Sequence, residues 1–281
     1  MQLKRIFASL AAAGSLAITA PAWAGNIFLT GHDNDFHQSP LANAQMTAAL
    51  TLVRAGSTLP VLTFDTGSEL TSQLTALGIP WVNVVPTAAN VTDALFNPTL
   101  YSAFAVASVT TCGGCDNPVG TGSILATHLA AIVNFFNAGR GILGLAGATD
   151  PNAYAYVPTS ATNGGGSPGS SGFVQTAAGA TLGIPAVNGD PTHNFFPEPG
   201  TAGLSALYQV VERFGSATTG TPESIALVGG TIVCPPGTVP SAGTCVITGG
   251  GGGTVPEPGS LALLGLAALA GFRRFRDRLI G

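Results

Sequence analysis

Four short polar stretches hold most of the side chains that could do chemistry. They are Gly31-His32-Asp33-Asn34-Asp35-Phe36-His37, Thr110-Thr111-Cys112-Gly113-Gly114-Cys115-Asp116, Gly144-Leu145-Ala146-Gly147-Ala148-Thr149-Asp150 and Thr192-His193-Asn194-Phe195-Phe196-Pro197. Imidazole nitrogens and carboxylates at His32, Asp33, Asp35, His37, Asp116 and His193 make a mixture that suits zinc or a similar divalent ion. An ion held there could activate water for hydrolysis, with His32, Asp33 and His193 as the catalytic candidates. The competing reading gives Asp33 and Asp35 to helix capping and loop amides, and the histidines to backbone hydrogen bonds. Cys112 is a candidate nucleophile only when reduced. His128 falls inside a helical stretch and reads as a packing or surface residue.

The four cysteines form two close pairs, Cys112 with Cys115 and Cys234 with Cys245. In an oxidising compartment this spacing reads as two local disulfides. A four-cysteine zinc site would require the two pairs to meet in space.

The elements that must position these groups alternate. Strand-like apolar runs at 26–30, 59–64, 81–85, 103–108 and 141–145 are separated by helical spacing at 40–54, 66–77, 91–96 and 121–138. Continuously apolar strands between helices predict a flavodoxin/Rossmann-like α/β fold, a parallel sheet with helices on both faces. Its ligands would sit beyond the carboxyl ends of the strands. In a Rossmann order the first and fourth strands are neighbours, so their loops would face each other. Weaker strand signals at 173–176, 209–214 and 225–230 would add an antiparallel edge or hairpin, after a Gly/Ser/Asn/Pro loop at 158–172.

Both ends of the chain speak of export. Lys4 and Arg5, an apolar stretch from Ile6 to Ile18 and the small-x-small Ala22-Trp23-Ala24 read as a signal peptide over 1–24. That implies Sec-type export machinery and a signal peptidase as partners. The α/β domain is expected over 25–230, a Cys-stapled Gly-rich linker over 231–254 and a sorting segment over 255–281. Between residues 25 and 254 eleven acids face three arginines (Arg54, Arg140, Arg213), a formal charge of −8. A surface of that sign repels phosphate backbones, so no nucleic acid is expected as a partner.

From Val255 the chain reads Val-Pro-Glu-Pro-Gly, then an apolar run, then arginines at 273, 274, 276 and 278. This order of parts resembles the PEP-CTERM sorting signal of Gram-negative bacteria that make exopolysaccharide, with Pro256, Glu257, Pro258, Arg273 and Arg274 as its motif. The resemblance implies recognition and removal of the tail by an exosortase. A helix over 260–272 would be ~20 Å long, short of the ~30 Å hydrocarbon core. It would serve as a short transmembrane helix in the inner membrane, arginines inside, before processing to the cell surface or matrix.

The body is similar to the class I glutamine-amidotransferase-like fold, especially its trehalose-utilisation-type branch. The matching residues are Thr30-Gly31-His32-Asp33, the block from Phe135 to Thr149 and His193-Asn194-Phe195. In catalytic members of that fold a cysteine sits on the tight turn after the corresponding strand. Here that place falls to Ala146, which has no nucleophile. The expected function is therefore that of an exported surface or exopolysaccharide-associated protein without a catalytic role. The alternatives are an exported metal-dependent hydrolase acting on a sugar or small polar substrate, and a small-ligand or carbohydrate-binding module.

Overall fold

The computed structural model describes residues 25–166, 169–189, 192–232, 240–241 and 244–245. Its elements run β1 (Ile27–Thr30), α1 (Asn34–His37), α2 (Pro40–Arg54), β2 (Val61–Phe64), α3 (Glu69–Ala76), β3 (Trp81–Val84), β4 (Ala103–Val106), α4 (Thr121–Ala126), α5 (Leu129–Asn137) and β5 (Gly141–Gly144). Then follow β6 (Phe173–Gln175), α6 (Ala177–Leu182), β7 (Gln209–Phe214) and β8 (Thr221–Leu227).

β1, β2, β4 and β5 are buried at every position and largely apolar because both faces of the sheet are covered there. Ile27, Leu29, Leu62, Phe64, Phe104, Val106 and Ile142 pack with α4, α5 and the aromatic side chains of Tyr154, Tyr156 and Phe196. Phe28, Val61, Ala103, Ala105 and Leu143 point the other way, towards α2, α3 and α6. The small residues on that second face let α2 approach closely. A Cβ on Gly141 would collide with the carbonyl of Val53 near the end of α2.

The α/β class with helices on both faces is as expected from the sequence. The strand order is not Rossmann-like: the eight-stranded sheet runs β3-β2-β4-β5-β1-β8-β7-β6. The first five strands in that order are parallel, and β8, β7 and β6 continue the sheet antiparallel. β1 therefore lies between β5 and the antiparallel β8, not beside β4. The later strand signals thus form a full antiparallel third of the sheet, and β8 begins at Thr221 rather than at Ile225.

Two helical expectations change. The stretch 121–138 breaks into α4 and α5 at Thr127 and His128, where the Thr127 hydroxyl donates back to the Ile124 carbonyl and closes the first helix. His128 turns outward there; its Nδ1 lies 2.6 Å from Asp93 Oδ1 and its ring rests on Phe96. The stretch 91–96 holds only a single 3-10 turn, Asp93–Leu95, since Pro98 leaves no room for a helix. The body reaches past residue 230: Asn137 exchanges hydrogen bonds with the backbone of Ile232, at 2.7 and 2.8 Å. Pro240–Ser241 pairs with Thr244–Cys245 beyond it. The leader over 1–24, the Cys234 and Cys245 side chains and the sorting tail lie outside the described residues.

Candidate functional site

Although β5 separates β1 from β4, the loops leaving those strands are tied together through Ala146 in the exit from β5. Ala146 N–H donates to the His32 carbonyl and Val109 N–H donates to the Ala146 carbonyl, so the three exits continue as one shelf. Asp35 then reaches across: its carboxylate accepts from Ser108 N–H at 2.8 Å and Ser108 Oγ at 2.6 Å. Burial pushes the Asp35 carboxyl up to about 7 against the opposing pull of Ser108.

A third segment is strapped onto this shelf. Thr192 bridges antiparallel to His32, and His193 N–H donates to the Gly31 carbonyl at 2.8 Å. Gly31 is required here because a Cβ would strike the Asn194 carbonyl and the Glu223 carboxylate. Gly31→Ala is expected to cost about 1–3 kcal/mol of stability through overpacking. It should also move the His193 imidazole resonances, which an NMR titration would register; an unshifted spectrum and unchanged melting would contradict this close approach.

The strap brings His193 onto Asp33. Asp33 is buried, and its two oxygens face two imidazoles: Oδ1 lies 3.0 Å from His37 Nδ1, and Oδ2 lies 3.1 Å from His193 Nε2. The sulfur of Cys115 sits 3.6 Å from the same Oδ2. Cys112 and Cys115 are joined by a disulfide, with Cα atoms 5.8 Å apart. Left-handed Gly113 turns the loop between them. Cys112 is half-buried, Cys115 is buried, and the Phe36 ring lies against Gly114. Phe36 itself is 37% exposed, and its ring centroid is 5.0 Å from that of His37.

The remaining sequence candidates go elsewhere, so the six predicted ligands do not form one cluster. Asp116 accepts from Ser68 N–H and Glu69 N–H, both at 2.8 Å, and so caps α3. Asp33 makes no capping bond to α1; the cap on the next helix is Ser39, which accepts from Ala42 N–H. His32 is wholly buried on the far side of the strap, its Nε2 3.3 Å from Glu212 Oε2 and 3.9 Å from Glu223 Oε1. Glu212 and Glu223 were missed from the sequence. Glu212 lies on β7 beside Arg213 and Glu223 on β8 beside Ser224, and a glutamate next to a polar neighbour on a strand reads as a solvent-facing position. Glu212 accepts from Val187 N–H, Gln45 Nε2 and Ser224 Oγ. Glu223 accepts from the Thr192 hydroxyl, and burial, aided by Glu212 and opposed by His32, pushes it up to about 8.

In the turn after β5 the left-handed residue is Ala148, with φ 45°. The N–H groups of Gly147 and Ala148 both donate to Asn194 Oδ1, at 2.7 and 3.2 Å. At Ala146 and Ala148 the turn carries no nucleophile, and its two amide donors are taken by the protein's own side chain.

Residues 254–276 match the family model of the PEP-CTERM protein-sorting motif. The chain is thus an exported, cell-surface-directed protein, with exosortase as its processing partner. No curated protein and no solved structure matches it. Among the described residues no helix is long and apolar enough to cross a membrane.

Proposed function

We propose that the α/β body is a surface module that holds a neutral polysaccharide of the extracellular matrix in the crevice beyond β1, β4 and β5, without turning it over. The observation that carries this is the exposed Phe36 ring beside Asp33 and His37, at 37% exposure. An apolar ring face suits the C–H face of a sugar, and the partly exposed imidazole of His37, held by buried Asp33, can hydrogen-bond its hydroxyls. The sorting motif supports delivery to the surface where such polymers lie. The charge of −8 between residues 25 and 254 favours a neutral polymer over an acidic one.

A second reading, a metal-dependent hydrolase, is favoured by the 3.1 Å approach of His193 to Asp33. Affinity electrophoresis of the exported full chain in gels containing neutral polysaccharides tests the first. Retardation is expected, with Phe36→Ala and His193→Ala each weakening it about tenfold, or about 1.4 kcal/mol. Retardation of both variants equal to that of the parent, or no retardation of the parent by any neutral polymer, would sink it. Release of new reducing ends in the presence of added metal would favour the hydrolase.

A further inference from the structure

The Cys112–Cys115 disulfide lies beside Asp33 and His193. One ligand atom each from Asp33, Cys112 and His193 lie within 4.8 Å of one another. With zinc bonds of about 2.0 Å to oxygen or nitrogen and about 2.3 Å to sulfur, a tetrahedral site places O and N about 3.3 Å apart, and S and O about 3.5 Å apart. The observed edges are close to these: 3.1 Å from His193 Nε2 to Asp33 Oδ2, and 3.6 Å from Cys115 Sγ to the same oxygen. His193 Nε2 is shielded from solvent and, despite its closeness to Asp33, makes no well-directed hydrogen bond. A shielded ring nitrogen close to a carboxylate and to the Cys112 sulfur, with Cys115 on the same carboxylate, has the arrangement of a ligand set. What withholds it is the oxidation state, because only a thiolate binds the metal.

We propose that this crevice is a redox-gated zinc site, formed by Asp33, His193, Cys112 and Cys115 once the disulfide is reduced. The chemistry is thiol–disulfide exchange. A thiolate of an external thiol reductant attacks the half-buried Cys112 sulfur, and the Cys112–Cys115 bond breaks. Cys115 leaves with the electron pair and takes a proton from water. A second reductant thiolate attacks the mixed disulfide, giving oxidised reductant and free Cys112. Zinc then displaces one proton from each thiol as it binds. The site does not depend on the polysaccharide reading, but zinc on Asp33 and His193 would compete with a sugar there.

The test uses the exported full chain with Cys234→Ser and Cys245→Ser, so that only one thiol pair remains. It is equilibrated with zinc alone, before and after reduction by a phosphine, and bound metal is measured after gel filtration. About one zinc per chain is expected after reduction and almost none before. His193→Ala and Cys112→Ser should each weaken zinc binding at least about tenfold in a chelator competition. Cobalt added to the reduced protein with its site residues intact should give sulfur-to-metal charge-transfer absorption and intense tetrahedral bands, a readout independent of whether the variants fold. Equal zinc in the oxidised and reduced forms would overturn the gate. A reduced, folded protein that takes up neither zinc nor cobalt would overturn the site, even if polysaccharide retention persists.

Discussion

Replacing Glu212 by alanine is expected to destabilise the body by about 3–5 kcal/mol, the largest effect of any single polar substitution. Three donors converge on this buried carboxylate: Val187 N–H at 2.6 Å, Gln45 Nε2 at 2.9 Å and Ser224 Oγ at 2.6 Å. His32 Nε2 lies 3.3 Å away. Alanine leaves the amide of Val187 without its acceptor and removes one bond each from Gln45 and Ser224, in a region water does not reach, and each lost partner exposes a desolvation cost of about 1–3 kcal/mol. With about 2 kcal/mol per molar urea, the unfolding midpoint should fall by about 1.5–2.5 M. Glu212→Gln should lie between, since one amide oxygen can still accept while the new NH2 faces existing donors. A midpoint within about 0.3 M of the parent for Glu212→Ala would show that the network is not cohesive.

Stability should also decline as pH rises from about 5 to 8, the reverse of the usual acid sensitivity of ion-paired carboxylates. Burial holds Glu223 near 8 and Asp35 near 7, against ordinary values of 4.5 and 3.8. Burial and the neighbouring Asp116 raise Asp65 to about 6. In that window the folded chain keeps protons that the unfolded chain has released, so each unit of pH favours unfolding by about 1.4 kcal/mol per such group. The contribution is complete below the unfolded values and gone above the folded ones. Glu223→Gln mimics the protonated form. It should therefore be nearly neutral at pH 5, more stable than the parent at pH 8, and shallower in slope between them. Urea midpoints that are flat from pH 5 to 8, or a slope unchanged by Glu223→Gln and by Asp35→Asn, would contradict it.

How much of this was legible in the sequence differs by element. The parallel strands were readable because a strand buried on both faces must be apolar throughout, as Ile27–Leu29 and Ala103–Val106 are. Their order was not, since the place of β1 is set by its ladder with the distant β8. Asp33 and His193 could be named as candidates from residue type, and the Gly31 approach that unites them is a backbone contact with no local signature. Asp35 and Asp116 bond to loops of other strands, so local spacing assigned them to a cluster they do not join. Glu212 and Glu223 were invisible for a related reason. A glutamate on a strand looks solvated until the helix side chain Gln45 and the strap at Thr192 are seen to enclose it.

The ladder between β1 and β8 also bears on when the body can fold. Thr30 and Ser224, 194 positions apart, meet side chain to side chain near the middle of the sheet. The first strand therefore has one flank open until the last strand of the sheet is available. Pairings so distant close late and slowly. An exported chain can therefore complete this sheet only in the compartment where nearly all of its body, from the first strand to the last, is present together.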